Sequence, residues 1–459
     1  VSGAAGSALP PLTVDGEAVA PGYLALLVSR TALALAAAGA GPGRGAALAC
    51  DHPLTAAASA VAAELVGAPL LLDGAASVRR IAAAAVITCG AGGEPVVGPG
   101  PGPASGRAAT ALPEETAAVF WTSGSSGDPK AVALSRSALR HQGEATGRRM
   151  GVTPRDGLVL PLPLRHAYGF SVLQVWRATG AHLFAESGFH LRRVLSLLRG
   201  TAATSLDGVP SMYRMLATEA VKDREVARRL GALRIRGCGG DVLTEALYDE
   251  FLSLTGGALH DGYGLSEAGP NVALNAPGDV RRGTVGRLLD GVRVRLAGPA
   301  GEIQVSSPSL MLGYLGVESG TLSRDAFTRD GWLRTGDTGR LTDDGWLTVS
   351  GRIKEVLVVH GETVAPTVVE DAVRSAAGVQ DAAVVGIRGG DRGDVVWAFV
   401  ESADGDRRGV AGRVIEVCRR SLPPQIRPRT VRVLTALPRT GSGKHDRVRL
   451  RAWAAGEAA

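Results

Sequence analysis

The sequence predicts an α/β protein with a large N-terminal domain of α/β layers, a β-rich subdomain, and a small C-terminal α+β domain. Three observations carry this reading. Helical stretches alternate with short apolar runs from residue 23 to about 275, the pattern then turns β-rich, and a second α/β rhythm restarts after Arg352. At 459 residues the chain also exceeds what one hydrophobic core supports, so at least two domains are expected.

Residues 23 to 90 alternate the helical YLALLVSRTALALAAAG and PLTAAASAVAAELVG with the apolar GAALAC, PLLLDG and AAVITCG, the rhythm of helices on a largely parallel sheet. The following AGGEPVVGPGPGPASGRAATALPEE is dense in Gly and Pro and is expected to be a surface linker without regular structure. Residues 116 to 122, TAAVFWT, read as a buried strand, and SRSALRHQGEATGRRM as a helix with a serine start signal at Ser135. The loop between them is therefore expected at a strand-to-helix junction. RVRLAGPAGEIQVSSPSLMLGYL reads as β-rich and GRLTDDGWLTVSGR as a hairpin. Beyond Arg352 come KEVLVVHG, the helix PTVVEDAVRSAAG, DAAVVGI, DVVWAFV, the helix GVAGRVIEVCRRSL and RTVRVLTALP, about the size of an independent domain. The expected domains are 1–352 and 353–459.

Hydrophobic residues make up 45% of the chain and charged residues 20%, which excludes a disordered or collagen-like protein. Cys50, Cys89, Cys238 and Cys418 form no C-x-x-C pair, so neither a zinc site nor a disulfide framework is indicated. Without a signal-peptide pattern or a long apolar run, the expectation is a soluble, cytoplasmic protein with no membrane partner. The net charge is +6, but the arginines are interleaved with acids and aliphatics, which gives no nucleic-acid footprint. Of 50 basic residues only Lys130, Lys222, Lys354 and Lys444 are lysines. Positions that keep a lysine in such a chain are candidates for needing a compact, mobile ammonium.

The segment Thr122, Ser123, Gly124, Ser125, Ser126, Gly127, Asp128, Pro129, Lys130 alternates hydroxyls with glycines and ends on a lysine. Glycines permit close backbone approach, amides and hydroxyls donate to phosphate oxygens, and Lys130 adds positive charge. It is not a Walker loop, since the G-x-x-x-x-G-K-[ST] spacing is absent here and at Gly441 to Lys444. No nucleophile elbow, dinucleotide loop or H-E-x-x-H motif offers a rival constellation.

TSGSSGDPK resembles the phosphate loop of the adenylate-forming superfamily of acyl-CoA synthetases, peptide-synthetase adenylation domains and luciferases. Further motifs follow in that family's order: His166-Ala167-Tyr168-Gly, Gly239-Gly240-Asp241, Tyr263-Gly264-Leu265-Ser266-Glu267, GEIQVSSPSLMLGYL, Arg334-Thr-Gly-Asp337, Gly351-Arg352-Ile-Lys354 and Pro438-Arg-Thr-Gly-Ser-Gly-Lys444. The resemblance implies ATP and Mg2+ as cofactors, with CoA a candidate acceptor. It implies that Gly239, Gly240, Asp241, Tyr263 and Gly264 flank adenine, that Ser266 donates to the α-phosphate and that Glu267 serves Mg2+. Asp337 and Arg352 are expected at the ribose, and His166, Ala167, Tyr168 and Gly264 at the substrate gate. Lys354 is expected to be the hinge of a mobile small domain that carries the catalytic Lys444, with Lys130 assisting at the phosphates. Lys222 matches no motif.

The implied reaction is activation of an aromatic or small carboxylic acid as its AMP ester, followed by transfer to CoA or a carrier protein. The chain ends fifteen residues after Lys444, so a carrier is expected in trans. Activation of nitrite for diazotisation of an aromatic amine is the alternative reaction within the family. An inactive nucleotide-binding regulator is a third reading, against which both Glu267 and Lys444 are retained. The expected assembly is a monomer or homodimer.

Overall fold

The computed structural model describes residues 9–72, 81, 83–100, 111–122, 129–316, 319–359, 362–389, 393–403, 405–439 and 445–458. The chain divides into two compact units: Val1–Arg295 with Gln304–Thr335 and Thr342–Leu347, and Leu296–Ile303 with Gly336–Leu341 and Thr348–Ala459. Among the described residues no helix is long and apolar enough to cross a membrane.

The first unit holds two large sheets. One has nine strands, in the order Arg287–Leu288, Asn271–Leu274, His260–Gly264, Ile235–Cys238, Ser205–Gly208, Gly157–Leu160, His182–Ala185, Leu12–Val14, Glu17–Val19. From His260–Gly264 to Leu12–Val14 the neighbours run parallel. The other sheet has eight strands, with Thr116–Thr122, Leu70–Leu72, Ala46–Leu48 and Ala85–Cys89 forming its parallel centre. Leu70–Leu72 and Ala46–Leu48 are buried along their whole length, as continuous apolar runs should be when both faces of a parallel sheet are covered.

Helix ends follow local chemistry. Helix Pro53–Val66 begins with proline at its first position, where no backbone donor is lost, and stops at Gly67 in the left-handed conformation. Helix Arg136–Met150 starts at Ser135, whose hydroxyl accepts from the Ala138 amide at 3.1 Å, as the serine signal implied. Its Gly143 faces helix Ala167–Thr179 so closely that a Cβ would fall 2.7 Å from the Gln174 carbonyl oxygen.

Two sequence expectations change. The Gly/Pro-rich stretch contains a strand, Pro95–Pro99, antiparallel to Ala85–Cys89. It lies at the sheet's edge, where proline's missing donor is tolerated. The phosphate-loop segment also does not run from strand to helix. Lys130–Ser135 is itself a strand, paired antiparallel with Thr116–Thr122 from Thr116↔Ser135 to Thr122↔Lys130. AVAL in this segment is buried against its neighbours, and tertiary pairing extends the chain before the helix begins.

The second unit contains the hairpin Leu357–Val359 and Glu362–Val364, helix Pro366–Arg374, and a sheet of Asp381–Arg388, Asp394–Glu401 and Thr430–Leu434. Ala382 and Val384 pack with Val369, Val373, Val414 and Cys418 on one face. Ala383 and Val385 pack with Phe399, Leu450 and Ala454 on the other. This two-residue alternation buries the strand on both faces. Leu450 and Ala454 belong to a final helix, Arg447–Ala458, which the sequence reading did not anticipate.

Candidate active site

Two of the motifs lie in the first unit at the C-terminal ends of parallel strands, where ligands of open α/β sheets bind. Ser205–Gly208 leads into Val209-Pro210, Ile235–Cys238 into Gly239-Gly240-Asp241, and His260–Gly264 into Leu265-Ser266-Glu267.

Glu267 sits in the 3-10 turn Ser266–Ala268, half-buried, and its backbone carbonyl accepts from the Met311 amide at 2.9 Å. Its carboxylate Oε1 accepts a 2.9 Å hydrogen bond from the Tyr314 hydroxyl. The Lys130 ammonium lies 4.6 Å from the centre of the same Tyr314 ring, a cation-π contact. Strand register explains the contact: Tyr314 pairs with Val132, and Lys130 lies two residues along on the same face, within diagonal reach. Lys130, Glu267 and Tyr314 thus converge where Thr122 and Lys130 close the hairpin, with the Thr122 hydroxyl 3.5 Å from the Lys130 carbonyl oxygen. Ser123, Gly124, Ser125, Ser126 and Gly127 lie outside the described residues. Tyr314 was missed as a functional residue, although its signal, the GYL at the end of an already recognised string, was present.

Tyr263 is 9% exposed, so its ring is largely covered by the protein. Gly264 is required by its own hairpin, since a Cβ there would lie 1.7 Å from the Pro270 carbonyl oxygen. Gly240 has φ +82, which favours glycine, and Asp241 accepts from the Val242 amide at 2.9 Å.

His166 and Ala167 begin helix Ala167–Thr179, and Tyr168 reaches beneath the glycine loop. A Cβ on Gly239 would sit 3.5 Å from the Tyr168 ring, in ordinary contact. The Tyr168 hydroxyl donates to Asp207 Oδ1 at 3.1 Å, and Ser205 Oγ donates to Asp207 Oδ2 at 3.2 Å. Burial pushes the Asp207 carboxyl up to about 6, against the opposing pull of the Tyr168 and Ser205 hydrogen bonds. Burial and the Asp207 charge push the Tyr168 phenol well above its ordinary range. Burial also drives Asp261, on the strand that carries Tyr263, well above the carboxylate range. Asp207 was not singled out from the sequence, where its only signal is an acid inside the apolar run SLDGVP. A cavity of about 230 Å³ opens beside this cluster's sheet, lined by Asp51, Leu160, Arg165 and Glu186 among others, and by none of the expected gate residues.

In the second unit Asp337 and Arg352 meet directly, Nε to Oδ1 at 3.0 Å, with Asp337 5% exposed. Lys354 lies in the 3-10 turn Ile353–Glu355, and its side chain is outside the described set. Lys444 is also outside the described residues.

Among the described residues no group of three or more His, Cys, Asp or Glu side chains gathers as a metal cage. The role expected of Glu267 needs none, because Mg2+ arriving with nucleotide takes one or two carboxylates plus phosphate oxygens. A carboxylate oriented by a phenol beside a lysine fits that donor set.

The fold and the order of the motifs fit a nucleotide-dependent enzyme of the adenylating class, and comparison with known proteins agrees. Residues 93–315 match the AMP-binding enzyme family and residues 368–444 its C-terminal domain. Feruloyl-CoA synthase from an Amycolatopsis species is 30% identical over 72% of this chain and 68% of its own length. The ATP-bound structure of MatB from Rhodopseudomonas palustris superposes with a TM-score of 0.82 at 24% identity, covering 98% of this chain and 96% of that one. The amide bond synthetase McbA from Marinactinospora thermotolerans gives 0.79 at 26% identity, covering 98% and 97%. The chain belongs to the AMP-binding, adenylate-forming family. It spans 63 to 70% of the length of the curated relatives it matches.

Proposed function

We propose that this chain uses ATP to activate an aromatic or small carboxylic acid as its acyl adenylate, releasing pyrophosphate, and then passes the acyl group to a thiol of CoA or of a carrier protein. The observation that carries the reading is the convergence of Lys130, Tyr314 and Glu267 at the mouth of the Thr122 to Lys130 segment.

In this reading an acid oxygen attacks the α-phosphorus, the acyl–O–P bond forms, and the P–O bond to pyrophosphate breaks. No protein nucleophile is needed, so the site's work is positioning and charge neutralisation. Lys130 and the hydroxyls and amides from Thr122 to Gly127 hold the phosphates, with Ser266 donating to the α-phosphate. Glu267, oriented by Tyr314, would hold Mg2+, which supplies charge neutralisation at the phosphate oxygens. Gly239, Gly240, Asp241 and Tyr263 line the adenine side, Asp337 and Arg352 meet the ribose hydroxyls, and Lys444 stabilises the pentacoordinate transition state. His166, Ala167 and Tyr168 border the acid. Lys354 is the hinge about which the small domain turns between adenylation and transfer.

The test is ATP–pyrophosphate exchange with benzoate, hydroxybenzoates, acetate, malonate, amino acids and nitrite, using wild type and Lys444→Ala. Exchange with an aryl or small acid that falls by orders of magnitude in Lys444→Ala is expected. Absence of exchange with every acid, or full activity in the alanine variant, overturns the reading. Exchange with nitrite alone moves the reaction to diazotisation, and an amide product with added amines moves the acceptor from thiol to amine.

A further inference from the structure

Lys444 ends the segment Thr440-Gly-Ser-Gly-Lys444, which lies outside the described residues. An ammonium that must meet a transition state is held in place when both ends of its segment are anchored. Both ends are described. Arg439 and His445 form an isolated antiparallel bridge, and the Asp446 amide donates to the Pro438 carbonyl at 2.8 Å, so the backbone is zipped just outside the segment.

The side chains of those two residues then converge on one carboxylate. Arg439 Nη2 donates to Asp381 Oδ2 at 2.7 Å, and His445 Nε2 lies 3.0 Å from the same oxygen. The other oxygen, Oδ1, accepts from Arg374 Nε at 3.2 Å and from the Ala382 amide at 2.8 Å. Asp381 is 8% exposed and begins Asp381–Arg388, an edge strand of the small sheet that is nevertheless covered on both faces. Arg374 ties it to Glu370 at 3.3 Å, and Glu370 in turn holds Arg447 at 2.7 Å, at the start of the last helix. A second acid helps at the near stem, where Glu401 Oε2 accepts from the Leu437 amide at 2.9 Å.

We infer that Asp381 is a positioning residue for adenylation: it clasps Arg439 and His445, the two stems of the segment that carries Lys444, onto the rigid sheet. The inference rests on the adenylating reading of Lys444. A buried carboxylate is suited to this task because it satisfies both stems through one oxygen, in a medium where an unmet polar group is costly.

The test is single-turnover formation of radiolabelled acyl adenylate, with the panel acid that gives the strongest wild-type exchange. Asp381→Asn keeps the shape and removes the charge. Because Asp381 also holds Arg374, Arg439→Gln and His445→Gln are measured beside it, each removing one strut and sparing the sheet. Each variant should slow adenylate formation, about 10- to 100-fold for Asp381→Asn, with KM for ATP within about twofold of wild type. In a Lys444→Ala background the same substitutions should cause no further loss, since they act only through that lysine. Wild-type rates, a rise in KM with unchanged turnover, or a loss that multiplies with that of Lys444→Ala overturns the clasp and leaves a structural ion pair. A wild type inactive with every acid overturns the adenylating reading itself, and the clasp's role falls with it.

Discussion

The Tyr314 hydroxyl donates to Glu267 Oε1 at 2.9 Å while the same ring carries the Lys130 ammonium 4.6 Å from its centre. One aromatic side chain therefore fixes both an acid and a base. Tyr314→Phe keeps the ring beneath Lys130 and releases Glu267. It should raise the Mg2+ concentration needed for half-maximal exchange several-fold while lowering stability by about 1 kcal/mol. Tyr314→Leu, which removes the ring as well, should be worse on both counts. A Mg2+ titration of Tyr314→Phe that overlays wild type would separate Glu267 from the metal.

Asp207 sets a pH dependence whose sign is fixed by its direction of shift. Its carboxyl is pushed up to about 6 from a model-compound value of 3.8, so the folded chain holds this proton more tightly than the unfolded chain. The stabilisation is complete below about pH 4 and is lost as pH rises through about 6. Asp207→Asn lacks the ionisation and can still accept from Tyr168. The unfolding free energy of wild type minus Asp207→Asn should fall by on the order of 2 kcal/mol between pH 4 and 7. Denaturant titrations at four pH values check this, and a flat difference contradicts it.

Glycines 239 and 264 should separate folding from binding. Gly264→Ala drives a Cβ to 1.7 Å from the Pro270 carbonyl oxygen, so it should cost about 3 kcal/mol or more in thermal unfolding of the nucleotide-free protein. Gly239→Ala meets Tyr168 at an ordinary 3.5 Å, and should change stability by less than about 0.5 kcal/mol while weakening ATP. Equal melting shifts in the two variants would contradict the distinction.

For the hinge, proline at position 354 locks one backbone angle in the turn Ile353–Glu355. Lys354→Pro should slow thioester formation from preformed adenylate at least tenfold more than adenylate formation. Equal slowing of both steps argues against a hinge there.

Much of this was legible because it is local. Ser135 announces its helix through a cap made within three residues, and TAAVFWT announces a buried strand through its composition. The strand Lys130–Ser135 was missed because only its partner across the sheet extends it, and Pro95–Pro99 because proline reads as a breaker unless an edge position is known. Asp207 is invisible in sequence for a different reason. Its altered proton affinity comes from burial in the packed interior, which the residues beside it in the chain do not encode. Tyr314 was within a recognised string, but its role depends on the register that sets it opposite Val132, on a strand far away along the chain.

The hairpin has a consequence for how an anion is held. A phosphate loop that opens directly into a helix borrows the positive end of the helix dipole, a contribution that fades within one turn. Here the next helix begins at Arg136, beyond the six-residue strand Lys130–Ser135, roughly 20 Å of extended chain away. In the proposed function the following helix therefore lends this loop no dipole, and the sequence places one of its four lysines at the loop's end.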